Sequence, residues 1–414
     1  MTFAVIFLAV ACALTVCAST ALELMNLSSL RARPAEVPKE FKSFIDPETY
    51  RKGALYTEAH TRLSILDGFF GFLLMTALLV SGAFPAMYEC FAGAFGGGFF
   101  AQALAVIAVM TVVSLPSLGF EYYEQFSIEQ DFGFNKSTLP LWITDKLKGF
   151  AVFVVLCAPL LALILWFAQK FPSTWWVWGF AAVAVFQLVM IVVYPMFIVP
   201  LFNKLEDLKD GELKDALFAL AKRGKFYAKT IQVIDGSRRS SHSNAYFTGF
   251  GRFRRIVLFD TLLEQLDKPE LEAVLAHEIG HYRRGHIGKM ILSSFVLTFA
   301  MFAFMGYLAQ SDWFFTQFGF DKKYGLGGVV LIYALYAGTF TFWLNPIENY
   351  FSRRREYEAD DFASLLCGGG GALISALKKL HTKNLGNLTP NPIYSAFHYS
   401  HPTLSERMKN LSDE

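Results

Sequence analysis

The chain has 414 residues, of which 54% are hydrophobic and only 17% charged, and its mean hydropathy is +0.37. Because a soluble protein carries about 25% charged residues, this composition excludes an ordinary water-soluble enzyme. The formal net charge is only +2, so nothing indicates a nucleic-acid-binding protein.

Seven apolar stretches are long enough to cross a bilayer, which requires about 20 residues per helix. They are Phe3–Leu24, Ile65–Phe84, Phe99–Phe120, Gly149–Phe167, Trp175–Pro200, Met290–Leu308 and Leu326–Leu344. The first stretch lacks a basic segment before its apolar core, so we expect an anchored helix and not a cleaved signal peptide. The sequence therefore predicts a mainly α, polytopic membrane protein with seven transmembrane helices.

Lysine and arginine residues alternate between the predicted loops. Seven of them lie between Arg31 and Arg62, including Arg33, whereas Pro85–Gly98 has none. The polar segment Leu201–Lys289 and the tail after Leu344 are again rich in them, while the short sixth loop carries only Lys322 and Lys323. By the positive-inside rule, the N-terminus faces outside, and the large polar segment and the C-terminus are cytoplasmic.

The chain divides near residue 200 into two predicted domains. Residues 1–200 form a membrane region with five spans, and residues 201–414 form a second domain that contains the last two spans. Leu201–Lys289 begins with a helical leucine pattern (Leu205, Leu208, Leu213, Leu217, Leu220) and continues with the strand-like runs Ile231–Ile234, Ala245–Thr248 and Ile256–Phe259. A helix from about Pro269 to Gly285 follows, and the tail is mainly helical. The five scattered cysteines include no Cys-x-x-Cys pair, so the sequence indicates neither a disulfide framework nor a Cys-based zinc site.

The motif His277-Glu278-Ile279-Gly280-His281 carries the strongest chemical signal. On a helix, His277 and His281 lie four residues apart on one face, so both imidazoles can bind one Zn²⁺. Glu278 can then act as the general base for a metal-bound water. The surrounding helix carries too many charges to cross the membrane, so we expect it to face water or protein.

A catalytic zinc usually takes three protein ligands and keeps one open position. Glu356 is the best candidate for the third ligand, and Asp360, four residues later on the same helix face, could orient a ligating histidine or move protons. Glu358 lies on another face and is the poorer candidate. The pattern predicts one Zn²⁺ per chain in a gluzincin-like protease domain with a small β-sheet, and a closed structural zinc site is the alternative.

The chain resembles the Ste24-type CAAX prenyl proteases, a branch of the M48 membrane metallopeptidases. The resemblance rests on six segments in order: Asp131–Thr138, Pro200–Lys204, Ser243–Phe247, Ala276–His281, Ser352–Asp360, and His401-Pro402 with Arg407. It implies seven long helices around a water-filled chamber, with zinc bound by His277, His281 and Glu356.

The resemblance also implies roles that spacing alone does not show. Asp360 would donate a proton, and Asn244, on a presumed edge strand Asn244–Thr248, would hold the substrate backbone. His401 and Arg407 would stabilise the oxyanion or bind the substrate. The substrate would be a peptide or membrane protein, lipidated in the CAAX case. The short sixth loop and the absence of a dilysine-type signal favour a bacterial inner membrane over the endoplasmic reticulum, and the oligomeric state is left open.

Three alternatives share part of this pattern. Site-2-type intramembrane proteases combine His-Glu-x-x-His with a Leu-Asp-Gly segment, but here Leu66-Asp67-Gly68 precedes the zinc motif. A transporter or non-catalytic membrane scaffold fits seven spans but has no use for the complete set of base and ligands. A quality-control protease of the heat-shock M48 type shares the chemistry and differs only in its substrate.

Overall fold

The computed structural model describes residues 1–32, 36–248, 254–322 and 326–412. Arg33 and Lys323, two of the loop cations used to predict the orientation, lie outside these residues. The described residues form long helices, a cluster of shorter helices and one small sheet.

The N-terminal half is helical throughout its apolar regions. Its helices are α1 Phe3–Arg31, α2 Pro47–Val80, α3 Ala83–Phe95, α4 Phe99–Ser114, α5 Ser117–Tyr123, α6 Glu129–Phe132, α7 Leu139–Lys170, α8 Trp175–Val193 and α9 Val199–Phe202. π-helical turns join α5 to α6 and α8 to α9. The prediction of a plain loop at Pro85–Gly98 was wrong, because α3 occupies most of it and buries Phe84, Tyr88 and Ala92.

The described part of the C-terminal half contains ten further helices. They are α10 Glu212–Arg223, α11 Asp260–Gln265, α12 Lys268–Arg283, α13 His286–Gln310, α14 Asp312–Phe318, α15 Leu326–Thr341, α16 Asn345–Cys367, α17 Gly371–Lys383, α18 Pro392–His398 and α19 Leu404–Ser412. A short 3₁₀ turn connects α15 directly to α16. The last membrane helix therefore continues into the polar helix that carries Glu356.

The predicted membrane spans are confirmed. Among the described residues, six helices are long and apolar enough to cross a membrane, and α4 with α5–α6 makes a seventh if this pair, bent by 48°, counts as one span. The bend falls at Pro116, which has no backbone N–H to continue the helix. Several helices extend beyond their apolar cores; α2, for example, begins at Pro47, because hydropathy detects only the bilayer-length portion of a helix.

The small sheet has the strand order β1-β2-β4-β3, with β1 Leu205–Asp207, β2 Thr230–Ile234, β3 Ala245–Thr248 and β4 Arg255–Phe259. β2 and β4 are parallel, and the other two pairs are antiparallel. The helical leucine pattern was wrong at its start: Leu205 belongs to β1, and the Leu208 N–H donates to the Ile231 carbonyl. Sheet pairing there replaces the helix that the spacing predicted, and α10 begins only after Gly211.

Two large hydrophobic cores, besides a smaller cluster that contains Phe41 and Leu404, organise the described residues. One lies among the membrane helices and surrounds fully buried Tyr88 and Val329. The other lies under the sheet, where Leu217 of α10, Ile231 of β2 and Ile256 of β4 pack against Ala276 and Ile279 of α12. Because one face of α12 is fixed on the sheet, its opposite face is presented to α16.

Polar side chains of the membrane helices face a cavity of about 540 Å³. Glu23 of α1 accepts hydrogen bonds there from Thr61 and Ser64 of α2, and Asp67 lies in the same wall. Carboxylates inside a membrane protein require such internal partners or water. The cavity fits the expected aqueous interior, although the full chamber stays a prediction.

Candidate metal centre and active site

Helix α12 has strong local start signals. Asp267 accepts a hydrogen bond from the Glu270 N–H, and the Glu270 carboxylate accepts one from the Asp267 N–H, which forms a capping box before Pro269. The Glu270 side chain is buried and also accepts from Ser375 Oγ (2.7 Å) and Lys379 Nζ (2.6 Å) of α17. The predicted helix is therefore observed with its bounds shifted by one or two residues, and it is fixed at its N-terminus.

The structure brings the three predicted ligands together. His277 Nε2 and His281 Nε2 lie 3.2 Å apart, and Glu356 of α16 completes the triangle. Glu356 Oε1 lies 3.2 Å from His281 Nε2, and Oε2 lies 3.4 Å from His277 Nε2. This group of ligand atoms does not include Asp67, so the Leu-Asp-Gly segment does not serve as a site-2-type ligand here.

The spacing of these atoms fits a tetrahedral zinc ion. Two ligand atoms bound tetrahedrally at zinc–ligand distances near 2.05 Å lie about 3.3 Å apart, close to the three distances between Nε2 and carboxylate oxygens. Glu356 Oε2 is buried and makes no hydrogen bond within the described residues, as expected of an atom reserved for a cation. Burial lowers the pKa of His277, but the hydrogen bond with Asp360 and the nearby Glu356 carboxylate outweigh it and raise the pKa to about 9. The surroundings therefore favour positive charge.

His277 is oriented through its other ring nitrogen. Its Nδ1 lies 2.8 Å from Asp360 Oδ1, and Asp360 has no exposed surface. Arg407 of α19 donates to both carboxylate oxygens, at 2.5 Å from Nη2 and 2.8 Å from Nε. A carboxylate that accepts the second N–H of a ligating histidine fixes its tautomer and ring orientation.

His281 is contacted by a second set of polar side chains, those of His286 and Glu358. His286 Nδ1 lies 3.0 Å from His281 Nδ1, and His286 Nε2 lies 3.1 Å from Glu358 Oε2. Only 1% of the His286 side chain is exposed. Glu358 thus belongs to the surroundings of the site without joining the ligand triangle.

Glu278 lies between the two histidines in sequence and close to them in space. Burial raises the pKa of Glu278 above its ordinary value, while His277 and His281 oppose the shift. Electrostatic interaction links this carboxylate to Arg407 as well. A raised carboxyl pKa is favourable for a group that must take up and return a proton.

Two further predicted residues lie beside Glu356, the candidate third ligand. His401 Nε2 is 3.6 Å from Glu356 Oε1, and Arg407 Nη1 is 3.9 Å from Glu356 Oε2. The side chain of His401 remains 65% exposed and accessible, whereas that of Arg407 is only 10% exposed. Both candidates therefore lie near the site, but the Arg407 guanidinium already forms a buried ion pair with Asp360.

Asn244 immediately precedes β3, so the predicted strand begins one residue later than expected. Its side chain accepts a hydrogen bond from the Ala245 N–H at 2.8 Å. β3 pairs with β4 on one side and is the last strand of the described sheet. The Phe247 ring packs 6.2 Å from Tyr282 of α12, which places this edge strand beside the helix with the two histidines.

Sequence reasoning missed two residues of this arrangement. His286 stands five residues after His281, and the sequence offered no spacing rule to connect them. Gly280, inside the motif itself, permits close approach to α16: a Cβ there would lie 3.0 Å from Ala359 Cα. A glycine in the middle of a well-formed helix is a signal of such packing.

Comparison with known proteins agrees with this architecture. Residues 26–204 match the family model described as "CAAX prenyl protease N-terminal, five membrane helices", and residues 207–414 match "Peptidase family M48". The CAAX prenyl protease 1 of Saccharomyces cerevisiae is 36% identical over 91% of this chain and 88% of the yeast protein. The homologue of Arabidopsis thaliana is 34% identical over 95% and 94% of the two chains. The crystal structure of S. mikatae Ste24p, 32% identical, covers 98% of both chains with a TM-score of 0.93.

The fold and the His-Glu-x-x-His site define an integral membrane metallopeptidase with several transmembrane helices. The matches to the two family models show which family of membrane metallopeptidases this is. The chain belongs to peptidase family M48, in its CAAX prenyl protease 1 branch. Membership of a metallopeptidase family implies a metal cofactor, and the family resemblance seen in the sequence is confirmed.

Proposed function

We propose that this protein is a zinc-dependent membrane endopeptidase that removes the last three residues of prenylated or similar C-terminal CAAX peptides. The observation that supports this most is the triangle of His277, His281 and Glu356, whose ligand atoms lie 3.2–3.4 Å apart beside Glu278. The relatives named CAAX prenyl protease 1 align over nearly the whole chain, which supports the substrate class.

In this proposal, His277, His281 and Glu356 would hold one Zn²⁺. When bound, the ion lowers the pKa of a water molecule and polarises the scissile carbonyl. Glu278 takes the proton of the attacking water as the new C–O bond forms. It returns that proton to the amine nitrogen as the C–N bond breaks, so that no other co-reactant is needed.

The remaining candidates bind and stabilise the substrate. His401 is the accessible group beside Glu356, and its imidazole would hydrogen-bond the negative oxygen that develops on the carbonyl. Arg407 adds positive charge but acts chiefly by holding Asp360. Asp360 orients His277, and its complete burial favours this role over direct proton donation. An extended peptide would pair with the free edge of β3, next to Asn244.

The finer location is also part of the proposal. The loop charges favour a cytoplasmic catalytic side and an outside N-terminus, with a membrane domain to about residue 200 and a peptidase domain after it. The relatives named above are eukaryotic, and they do not support the expectation of a bacterial inner membrane. Protease accessibility of tags fused to the two termini in intact cells would measure the orientation.

The test of function is cleavage of a farnesylated CAAX peptide by the purified protein, with products identified by mass spectrometry. Wild type should release the terminal tripeptide, Glu278→Gln should release none, and Glu272→Gln on the same helix should retain activity. Glu278-dependent cleavage of an unfolded membrane protein but not of the peptide would replace this proposal with a quality-control function. No cleavage of either substrate by a zinc-loaded protein would refute both.

A further inference from the structure

We infer that His286 is a positioning residue for the metal centre, and that a hydrogen bond to Glu358 fixes the tautomer of His286. This inference rests on the proposed function, because it takes His281 to be a zinc ligand. The motif assigns no role to either residue. Yet they form a continuous hydrogen-bonded chain from the far nitrogen of His281 to the wall of a cavity.

The direction of each hydrogen bond follows from the geometry. His281 Nε2 faces His277 and Glu356, so this nitrogen must keep its lone pair for the metal. Its Nδ1 therefore carries the proton and donates to His286 Nδ1, 3.0 Å away. His286, accepting at Nδ1, is the neutral Nε2–H tautomer and donates to Glu358 Oε2 at 3.1 Å. One tautomer of each ring satisfies all the contacts.

Because His286 is buried, its hydrogen bonds with His281 and Glu358 cannot be replaced by hydrogen bonds to water. His286 is the first residue of α13 and is 1% exposed, so no solvent replaces its contacts. If its side chain were apolar, the Nδ1–H of half-buried His281 would lose its acceptor, and the imidazole could rotate away from the ligand geometry. The partner that orients a ligating histidine contributes about 10- to 100-fold to metal affinity.

The two histidine ligands are supported differently. His277 is held by Asp360 and Arg407, both buried, whereas the chain from His281 ends at Glu358, whose side chain is 34% exposed. Glu358 lies in the wall of a cavity of about 790 Å³ between α13 and α16. Lys289 and Arg354 line the same cavity, 3.8 and 3.9 Å from the Glu358 carboxylate, and hold it near His286. The hydrogen bonds from His281 through His286 to Glu358 are therefore the ones that reach the cavity between α13 and α16.

A glutamine can replace both functions of neutral His286, since its amide oxygen accepts and its amide nitrogen donates. A leucine fills similar space but can do neither. We would measure zinc content, the rate of zinc release to a chelator, and the visible spectrum of the Co²⁺-substituted protein. The variants are His286→Leu and His286→Gln, with His398→Leu as control; His398 stacks on Tyr394 and does not contact the centre.

His286→Leu should weaken zinc binding about 10- to 100-fold and change the Co²⁺ spectrum. The zinc affinity and Co²⁺ spectrum of His286→Gln should stay closer to those of wild type, and His398→Leu should be the same as wild type in both. Equal zinc release from His286→Leu and wild type would overturn the inference. So would equal losses in the Leu and Gln variants accompanied by equal drops in the melting temperature of the metal-free protein, which would show a structural role only.

A second pair keeps the test decisive if His286→Leu does not fold. Glu358→Gln retains an acceptor for the His286 N–H, and Glu358→Ala removes it. Zinc release should therefore be faster for the Ala variant than for Gln, and identical rates would overturn the role of Glu358. Failure of the proposed function gives a different result, because it would appear as absent peptide cleavage by wild type, whereas failure of this inference would appear as unchanged zinc release from the variants.

Discussion

Gly280 and Ala359 touch across the interface of α12 and α16: a Cβ on Gly280 would lie 3.0 Å from both the Cα and the carbonyl oxygen of Ala359. Gly280 stands one residue before His281, and Ala359 one residue before Asp360. The close approach of the two helix backbones therefore determines how far the histidines lie from Glu356 and Asp360. This contact is the packing basis of the metal site.

Gly280→Ala should separate α12 from α16, because the obstructing atoms belong to backbone and cannot rotate away. Overpacking of this kind costs about 1–3 kcal/mol, and the shift should lengthen the distances from both histidines to Glu356. We expect a lower melting temperature and faster zinc release, measured in detergent by thermal unfolding and chelator competition. Gly288→Ala is the control, since a Cβ there meets nothing within 4 Å. Equal behaviour of the two variants would contradict the argument.

Asp360→Asn should be strongly destabilising although it preserves shape. The amide presents only one oxygen to His277 Nδ1 and to the two donating nitrogens of Arg407, and it leaves the buried guanidinium without its counter-charge. Removing one partner of a buried ion pair costs about 3–5 kcal/mol. Thermal unfolding of the metal-free protein would measure this loss separately from zinc affinity. Asp361→Asn, at the neighbouring and less buried carboxylate, should change little.

Much of the fold followed from the sequence. Long apolar runs require helices in a bilayer, so the seven spans were predictable, and the strand-like runs of β2, β3 and β4 agree with the structure to within one residue. Local signals failed where tertiary pairing decided the outcome. Leu205 fitted a helical period but pairs with Ile234 in the sheet. Helix α3 forms in a region predicted as a loop because one of its faces is apolar and buried.

The site was predictable only as far as spacing rules extend. The His-Glu-x-x-His spacing and the four-residue step from Glu356 to Asp360 identified residues that the structure brings together. The partners of these residues come from distant segments: Arg407 lies 47 residues after Asp360, and Glu358 lies 72 residues after His286. No local pattern encodes such contacts, because they depend on how α12, α13, α16 and α19 pack.

Zinc should stabilise the folded protein by mass action. A metal that binds only the native state adds about 2.7 kcal/mol at a free concentration 100 times its Kd, so the melting temperature should rise with added zinc and fall after chelation. Glu356→Gln should abolish most of this increase, since an amide is a poorer ligand than a carboxylate. Glu348→Gln, earlier on the same helix and outside the ligand triangle, should keep the full increase. An identical response of the two variants would exclude Glu356 as a ligand.

Acid should destabilise the protein through His381. Burial, with a contribution from Arg407, lowers the pKa of His381 from 6.5 to about 4 in the folded state. Because the unfolded chain takes up this proton at higher pH, stability is unaffected above pH 6.5 and falls progressively from there to about pH 4. The shift corresponds to about 3 kcal/mol.

His381→Gln removes this titration. Melting temperatures of wild type and variant, measured in detergent from pH 7.5 to 4, should converge as the pH falls, with the metal-free form used for both. A constant difference between the two proteins over this range would show that His381 does not titrate as described.

Arg239 joins the membrane helices to the strand beside the metal centre. It forms a two-point contact with Asp145 of α7, at 2.8 and 3.1 Å, and donates to the Phe202 carbonyl at 2.6 Å. The backbone of Arg239 makes a further contact, because the Lys136 N–H donates to the Arg239 carbonyl. The segment 239–242 leads directly to Asn244 and β3. The segment Asp131–Thr138 therefore contacts the backbone that leads to β3.

Arg239→Ala should therefore raise KM for a CAAX peptide more than it lowers kcat, because the edge of β3 loses its support while the zinc ligands stay in place. Hydrogen bonds to a charged group contribute about 1.5–3 kcal/mol each, so the melting temperature should also fall. Zinc affinity should not change, which separates this effect from damage to the metal centre. Arg238→Ala, one residue earlier and exposed, is the matched control. A double-mutant cycle with Asp145→Ala should show coupling between the two residues, and additive effects would mean that the joint does not act through this ion pair.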